Sequence, residues 1–497
     1  MIKIELINQC TIEPDVDCLI LPAFEDALKE AAASSLLCSE DKVTLELLID
    51  KKNITGQDNF YLPSPLSPYQ SVMVIGLGKQ ADATSVKFRE AVGKAAKTFL
   101  KLKKTHLLLE MAHLSDPINA EQFLEGVILG QYSYDRFKTL ADDKKPVKIA
   151  GIGVHVSADV DLTLKQAQIN LVQINCESSN WARDLGNCPG NAMTPVILAA
   201  EAKEMAEETG AEYYELDEAQ MAELGMDSLL CVSAGSEEEA RLIVIKHTHP
   251  QATKTIAIVG KGLTFDAGGI SLKGSKGMED MKFDMCGATA VLGAMRNICI
   301  IKPQVNVICV VPSSENMPDG KAVKPGDIVK AYNGKTIEVY NTDAEGRLIL
   351  ADALSYTVDK YKPDLMINLA TLTGACIVAL GHHMAGIMST DDDFVQALTK
   401  AGDAVHERLW RLPMNDEYKE IMKGKDADLT NIGPGYAGTV TAGAFLSHFV
   451  GDGSTRWAHM DIAGVGWNMK GASYLDEKLA SGFGVRLLTR WILDESE

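Results

Sequence analysis

Short apolar runs alternate with amphipathic stretches along roughly the first 160 residues of the chain. Apolar runs of strand length lie at residues 17–21, 71–75, 106–109 and 147–150, and residues 85–102 have the pattern of a helix. Strands that alternate with helices are typical of a layered α/β fold. We therefore predict an α/β structure for this part of the chain.

A longer helical pattern separates this part from the rest. It runs from about residue 162 to residue 184 and ends at a cluster of helix breakers, Gly186, Pro189 and Gly190. We predict a domain boundary in this region. The predicted division is an N-terminal domain at 1–160, a linker helix and connection at 161–190, and a second domain at 191–497.

The second half repeats the α/β pattern with more strongly apolar strands. Near-continuous apolar runs lie at residues 241–246, 255–259, 305–311 and 364–369. Such runs indicate strands that are buried on both faces, as in a mostly parallel central sheet flanked by helices. Ligand sites in these sheets lie at the carboxyl ends of the strands.

Composition places the chain among ordinary globular proteins. It has 497 residues, 46% hydrophobic and 23% charged, and the length predicts about two to four domains. The formal net charge of -20 disfavours broad attraction to nucleic-acid phosphates or anionic membranes, although it does not exclude a local basic patch.

The cysteines and the N-terminus favour the cytoplasm. The ten cysteines, from Cys10 to Cys376, form no CxxC pair and are predicted to be reduced core residues. The chain begins with a strand-like alternation instead of an apolar signal core, and we expect no apolar run of membrane-span length. We therefore expect no membrane partner and a cytoplasmic location.

Candidate chemistry starts with the octapeptide at residues 341–348, in which Asp343, Glu345 and Arg347 are each separated by one residue. If the segment is extended, these three side chains share a face before a helix-like run at 348–356. Like charges that close need a counter-charge, normally a metal. The alternative is a solvated acidic turn with an arginine salt bridge.

Two more carboxylates lie in the same half. Asp266 is in a glycine-rich loop, residues 260–273, that directly follows a predicted strand. Asp284 precedes a small-residue helix at 288–297, where a lone aspartate would most simply act as a cap. Together with Asp343 and Glu345 they suit two divalent cations, which shared carboxylates bridge at roughly 3.5 to 4 Å.

Other catalytic and nucleotide motifs are absent from the sequence. The glycine-rich loop lacks the phosphate-binding GxxxxGK[ST] spacing, and neither HExxH nor G-x-S-x-G occurs. Residues 433–438 match GxGxxG, but no apolar strand precedes them, so we predict a loop that lines a site or the surface.

The octapeptide NTDAEGRL resembles the signature of the leucine aminopeptidase family, the cytosol aminopeptidases, which are dinuclear metallo-exopeptidases. Further segments resemble family segments in the same order: GKGLTFDAGG at 260–269, MEDMKFDM at 278–285, ATLTGA at 370–375, TAGAFLSHFV at 441–450 and HMDIAG at 459–464. The agreement spans about residues 170–490, whereas the N-terminal part agrees only in length and α/β character.

The resemblance implies a set of metal ligands. One divalent ion would be held by Asp266, Asp343 and Glu345, and the other by Lys261, Asp266, Asp284 and Glu345. A lysine ligand must be neutral, so the pKa of Lys261 must fall far below ~10.4, which direct coordination can accomplish. Zn or Mn is the expected metal, with Mg or Co as alternatives.

The implied reaction is hydrolysis of the N-terminal residue from peptides and aminoacyl amides by a water or hydroxide that bridges the two metals. Lys273 would stabilise the oxyanion. Arg347 cannot accept the proton because its pKa exceeds about 12. In the family the equivalent arginine holds a bicarbonate that serves as the base.

The family pattern also implies a pocket for the first side chain of the substrate. Its residues would be Met281, Thr371, Leu372, Gly374 and Ala463, for which ordinary core packing is the alternative. Gly466 stands where some relatives carry a larger apolar residue, which puts a strict leucine preference in doubt. Cys286, beside Asp284, is expected to be a buried spectator.

The implied fold is a smaller macro-like N-terminal α/β domain, joined by the long helix to a larger catalytic α/β domain, and the family generally forms homohexamers. Two other functions stay open. Certain relatives on this fold bind DNA or regulate transcription, although the acidic balance argues against generic binding. A dinuclear phosphohydrolase would need only the carboxylates, but the spacing of Lys261 and Lys273 weakens that alternative.

Overall fold

The computed structural model describes residues 2–8, 15–114, 120–141 and 145–496. The chain divides into two compact units, one formed by Met1–Glu177 with Ala472–Leu475 and the other by Ser178–Gly471 with Asp476–Glu497. The domain limits at residues 160 and 190 stay a prediction. The α/β fold class with mostly parallel sheets is confirmed.

The first unit contains one six-stranded sheet with neighbours in the order β1-β6-β5-β2-β4-β3. All strand pairs are parallel except the β3–β4 pair. Its elements are β1 (Lys3–Ile7), β2 (Cys18–Ala23), α1 (Leu28–Ala32), α2 (Ser39–Asp50), β3 (Phe60–Pro63), β4 (Ser71–Gly76), α3 (Ser85–Lys101), β5 (His106–Glu110), α4 (Ala120–Gly130) and β6 (Gly151–His155).

One predicted strand of this unit was wrong. Residues 147–150 are not a strand, and β6 begins at Gly151 instead. Pro146 has no N–H to donate to a neighbouring strand, which disfavours an earlier start of the ladder. The other predicted strands of this unit overlap β2, β4 and β5.

Helix α5 (Leu162–Asn187) is continuous across the limit between the two units. The elements of the second unit are then α6 (Pro195–Thr209), β7 (Glu212–Leu216), α7 (Glu218–Glu223), α8 (Asp227–Ser233), β8 (Arg241–His247), β9 (Thr255–Gly260), β10 (Gly262–Asp266), α9 (Cys286–Ile301), β11 (Asn306–Asn316), β12 (Asp327–Lys330), β13 (Thr336–Val339), α10 (Gly346–Tyr361), β14 (Leu365–Ala370), α11 (Gly374–Leu380), β15 (Ala385–Met388), α12 (Asp392–Val405), β16 (Leu409–Arg411), α13 (Asp416–Ile421), β17 (Leu429–Thr430), α14 (Gly438–Leu446), β18 (Arg456–Asp461) and α15 (Val485–Asp494).

The large sheet of this unit has the order β16-β15-β18-β14-β9-β11-β8-β7, and β10 pairs with β11. Its central strands β18, β14, β9 and β11 are parallel neighbours. Every residue of β14 is buried, as expected for a strand covered on both faces. The carboxyl ends of β9, β11 and β14 therefore lie at one edge of the sheet. A small sheet has the order β12-β13-β17, and its strands β12 and β13 precede α10 in sequence whereas β17 follows it.

Two further observations concern the cysteines and the membrane. Nine cysteines lie in the described residues and none of these is in a disulfide; seven of them are buried, and Cys10 lies outside the described residues. The helical stretch Met278–Ile301 is long and apolar enough to cross a membrane, so our expectation on apolar runs was wrong for it. Because 83% of its most apolar window is buried inside the fold, it has the character of a core helix.

Candidate metal centre

The carboxyl edge of the large sheet carries a cluster of two lysines and four carboxylates. Lys261 lies between β9 and β10, Asp266 ends β10, and Lys273 follows in the glycine-rich loop. Asp284 lies in a 3-10 segment before α9. The remaining two members, Asp343 and Glu345, lie between β13 and α10.

Lys261 is buried at the centre of one half of the cluster. Its Nζ contacts Oδ2 of Asp284 at 2.7 Å and Oε1 of Glu345 at 2.8 Å. It also donates to the carbonyl of Thr371 at 3.2 Å. Burial alone would lower the pKa of Lys261, but the charges of Asp284 and Glu345 raise it well above its ordinary value.

Lys273 occupies the other half and keeps 22% of its side chain exposed. Its Nζ contacts Oδ2 of Asp266 at 2.7 Å and pairs with Oδ1 of Asp343. Burial opposes its charge, but Asp266 and Glu345 raise the pKa of Lys273 above its ordinary value. The two ammonium groups thus supply counter-charges to all four carboxylates.

The carboxylates are strongly coupled to one another. Burial, with the charges of Glu345 and Asp284, raises the pKa of Asp266 to about 8. Burial also raises the pKa of Asp284, to about 6, against the opposing effect of Lys261, and it raises the pKa of Asp343. For Glu345 the nearby lysines outweigh burial and lower the pKa.

The residues present fit divalent cations. One ligand oxygen from each of Asp266, Asp343 and Glu345 lies within 4.8 Å of the other two. Glu345 Oε2 is buried and has no hydrogen-bond partner within the described residues. Carboxylate oxygens that lie this close to other negative charges are typical ligands of hard or borderline cations.

The octapeptide is not extended, so the condition under which its three charged side chains would share a strand face is not met. Thr342 and Asp343 form a turn, Glu345 has helical backbone angles, and α10 begins at Gly346. The side chain of Asn341 accepts from the Asp343 N–H at 2.9 Å, which closes the turn. Asp343 and Glu345 reach the same cluster through this turn, not through strand alternation. The expected cap also differs, because the N-cap residue of α9 is Met285, not Asp284.

Arg347 lies in the first turn of α10 and is buried. Its Nη1 donates to the carbonyl of Asn431 at 2.9 Å. Burial lowers the pKa of Arg347 to about 10, against the attraction of Glu345 and Asp461. The guanidinium therefore stays charged at neutral pH.

Two buried asparagines that our sequence analysis did not single out hold the cluster in place. Asn316, at the end of β11, donates to Oδ1 of Asp266 at 2.8 Å and to the carbonyl of Thr342 at 3.0 Å. The Asn431 side chain donates to the carbonyls of Asn341 and Ala344 and accepts from the N–H of Tyr340 at 2.9 Å. Neither asparagine has a spacing that marks it in one sequence.

A cavity of about 630 Å³ opens beside the cluster. Asp343, Arg347, Leu372 and Gly374 are among its lining residues. The loop at 433–438 also lines it, as predicted for a site-lining loop. Of the other expected pocket residues, Met281, Thr371 and Ala463 are not among its lining residues.

The remaining pocket residues lie close to Asp284 or to the sheet edge. The Thr371 hydroxyl donates to Oδ1 of Asp284 at 2.7 Å, and the Ala463 N–H donates to Oδ1 of Asp461 at 3.1 Å. Gly466 is tightly packed, because an added Cβ would lie 3.1 Å from both Cβ of Cys286 and Cγ2 of Thr371. Cys286 therefore occupies the space into which a larger residue at position 466 would extend.

Comparisons with known proteins agree with this site. The catalytic-domain model of the cytosol aminopeptidase family matches residues 180–489, and the N-terminal-domain model of that family matches residues 20–140. The chain is 42% identical to a probable cytosol aminopeptidase of Geobacter sulfurreducens over 472 residues, which covers 92% of this chain and 93% of the relative. It is 44% identical to one from Chromobacterium violaceum over 435 residues, which covers 86% of this chain and 81% of the relative.

Solved structures extend the likeness to the whole fold. A tomato leucine aminopeptidase mutant is similar with a TM-score of 0.86 and 33% identity, covering 99% of this chain and 97% of that one. The bottromycin maturation enzyme BotP in complex with Mn is similar with a TM-score of 0.84 and 29% identity, covering 97% and 100%.

Fold, carboxylate cluster and relatives together define a metal-dependent peptide hydrolase. The chain belongs to the cytosol aminopeptidase family, which confirms the resemblance found in the sequence. It is an aminopeptidase whose substrates are peptides.

Proposed function

We propose that the chain removes the N-terminal residue of peptides with two divalent metal ions. Asp266, Asp343 and Glu345 would hold one ion, and Lys261, Asp266, Asp284 and Glu345 the other. The observation that carries this proposal is the convergence of four carboxylates on the Nζ atoms of Lys261 and Lys273. Bound metals would supply Lewis-acid chemistry, polarising the peptide carbonyl and lowering the pKa of water.

Lys261 has to change its protonation state in this proposal. Its ammonium group is stabilised by the same carboxylates that would bind the cations. Once cations neutralise those carboxylates, the attraction that keeps the proton on Lys261 disappears, and a neutral amine becomes a feasible ligand. Lys261 would thus be a charged partner of the carboxylates without metal and a neutral ligand with metal.

Lys273 is the proposed oxyanion donor. Its Nζ lies between Asp266 and Asp343, and its side chain is the partly exposed one of the two lysines. The raised pKa of Lys273 keeps the ammonium group charged at neutral pH. A positioned cation stabilises the charge that develops on the carbonyl oxygen of the substrate.

Arg347 is the proposed anchor of the base. Its pKa of about 10 rules it out as a proton acceptor at neutral pH, but it can hold an anion such as bicarbonate. It also lines the cavity together with Asp343. We propose bicarbonate as the base, as the family pattern implies.

The cavity and its surroundings are the proposed substrate site. Leu372 and Gly374 line the cavity with Asp343 and Arg347. Met281, Thr371 and Ala463 would complete the pocket for the first side chain. Because Gly466 is already packed against Cys286, its lack of a side chain does not by itself enlarge this pocket.

Three finer properties belong to the same proposal. We expect Zn or Mn in the site, with Mg or Co as alternatives, and the Mn complex of a structural relative supports a divalent ion of this size. We expect a homohexamer, which sedimentation can test. The relatives named cytosol aminopeptidases support a cytoplasmic location.

Replacing Glu345 with Gln tests the proposal. The change removes a charge from both proposed metal sites and keeps the size of the side chain. We expect leucine-amide hydrolysis to fall on the order of 10³-fold or more and metal content, measured by mass spectrometry, to fall with it. Full activity of a folded, metal-depleted Glu345→Gln protein would refute the assignment.

Glu315→Gln is the matched control. Glu315 lies near the same sheet edge, is half-buried and accepts from the Ser236 hydroxyl at 2.7 Å. Its activity should stay near that of the unchanged protein. A phosphate-ester assay and a mobility shift on duplex DNA, run in parallel, test the phosphohydrolase and DNA-binding alternatives.

A further inference from the structure

A chain of buried hydrogen bonds leads from Trp457 through Asn368 to His459. The Trp457 Nε1–H donates to Oδ1 of Asn368 at 3.0 Å. Because an indole nitrogen can only donate, this bond fixes which end of the amide is oxygen. The Asn368 Nδ2 then donates to Nδ1 of His459 at 2.9 Å.

This order determines the tautomer of His459. Nδ1 accepts a hydrogen bond, so in the neutral ring the proton is on Nε2. The ring is neutral because burial, together with the charge of Arg347, lowers its pKa to about 3. The imidazole ring is also held in place. Asn368 is the cross-strand partner of His459, and the Trp457 ring is stacked with the imidazole at 6.5 Å between ring centroids. His459 therefore presents one fixed donor, Nε2–H.

Two buried donors have no acceptor among the described residues, and the charge of one side chain lowers the pKa of the other. They are Nε2 of His459 and Nε of Arg347. Two donors cannot satisfy each other, and a buried donor without an acceptor is costly. One oxygen atom can accept from both, as a buried water commonly does.

The position of the strand supports this pairing. His459 and Asp461 are alternate residues of β18, so their side chains share one face of the sheet. The charge of Arg347 acts on both of them. The face of β18 that carries His459 is therefore the face near the guanidinium.

We propose that His459 is a positioning residue for Arg347, acting through one buried water that accepts from Nε2 of His459 and Nε of Arg347. A guanidinium is planar, so a hydrogen bond at Nε and the bond from Nη1 to Asn431 fix its plane. The remaining donors are then held in one orientation at the cavity. This inference rests on the proposed role of Arg347.

Four variants of the metal-loaded protein test it, namely His459→Phe, His459→Gln, Arg347→Ala and the Arg347→Ala/His459→Phe double variant. Phe keeps the ring shape without a donor, whereas Gln keeps an N–H donor. We expect His459→Phe to lower kcat by about 10- to 100-fold with KM within about 2-fold. His459→Gln should recover most of that loss. In the Arg347→Ala background, His459→Phe should have no further effect.

His247→Phe is the matched control. His247 is a similarly buried histidine at the other end of the large sheet, and its Nε2 is hydrogen-bonded to the Pro303 carbonyl at 3.0 Å. Wild-type kcat in His459→Phe, a Gln variant as slow as the Phe variant, or additive effects in the double variant would each overturn the inference. Wild-type activity in Arg347→Ala would instead overturn the proposed role of Arg347.

A crystal structure of the unchanged protein gives an answer even if His459→Phe does not fold. We expect one ordered oxygen within about 3.2 Å of both Nε2 of His459 and Nε of Arg347. Density that shows no shared oxygen between these atoms would overturn the inference.

Discussion

At the scale of single residues, Gly346 determines how closely Lys261 approaches Glu345. An added Cβ at position 346 would lie 2.5 Å from Nζ of Lys261 and 2.6 Å from its Cε. Gly346→Ala should therefore displace Lys261 and lower metal content and kcat, although alanine in a helix is favoured by up to about 1 kcal/mol. Metal analysis checks the expected loss of metal, and thermal unfolding checks the effect of alanine on stability. In Gly320→Ala, where an added Cβ meets nothing within 4 Å, metal content should be unchanged.

Lys273 offers a second test at this scale. Lys273→Met keeps the length of the chain and removes the charge beside Asp266 and Asp343. We expect kcat to fall by about 10²- to 10³-fold while the protein still binds metal. The control is Lys276→Met, an exposed lysine of the same loop. Equal kcat values for the two variants would contradict the role of Lys273 as oxyanion donor.

The sequence predicted the charged members of the cluster but not the residues that hold them. Asp343, Glu345 and Arg347 stand out because acidic and basic side chains at short spacing need a physical reason. Asn316 and Asn431 do not stand out, since a buried amide and a solvated turn amide look the same in one sequence. Their roles follow only from hydrogen bonds across long chain separations.

At the scale of elements, the turn before α10 depends on Asn431. Its side chain bonds four backbone groups of residues 340–344, and its carbonyl accepts from Arg347. Asn431→Ala leaves those buried groups without partners, which should cost about 2 to 4 kcal/mol of unfolding free energy and lower kcat. Hydrogen exchange should increase at residues 340–346. The control is Asn333→Ala, at an exposed turn. It should change neither kcat nor hydrogen exchange at residues 340–346.

Strands were easier to predict than the turn because their signal is local. The apolar runs at 241–246, 255–259 and 364–369 nearly coincide with β8, β9 and β14, since a strand covered on both faces has to be apolar throughout. For the octapeptide, we considered only what an extended segment would imply, because alternation was the visible pattern. The bonds from Asn431 outweigh that pattern, and no local rule reports them, whereas the bond from Asn341 is a local turn that alternation obscured.

At the scale of the whole molecule, the α/β fold class follows from the sequence pattern, whereas the chemistry depends on which strand ends become neighbours. Sequence order separates Lys261 from Glu345 by 84 positions, and the sheet brings their side chains to 2.8 Å. The order of strands in the sheet, which a single sequence does not encode locally, is what places the cluster at one edge.

Metal binding by the whole protein should therefore depend on pH with a definite sign. Cations bind deprotonated carboxylates. The pKa of Asp266 is raised to about 8, so below that pH a proton competes with cations for this carboxyl. That proton must leave on binding, and above pH 8 it has already left. Because Lys261 must also lose a proton to become a ligand, affinity should rise with pH throughout, more steeply below about pH 8 than above it.

Proton release measures this effect directly. Lys261, whose pKa is raised well above its ordinary value, should lose a proton at either pH when it becomes a ligand. Titration calorimetry in two buffers of different ionisation enthalpy should therefore show about two protons released at pH 7 and about one at pH 9. Glu315→Gln should behave like the unchanged protein. Equal release at both pH values would show that Asp266 is ionised before metal arrives, and no release at pH 9 would show that Lys261 keeps its proton and is not a ligand.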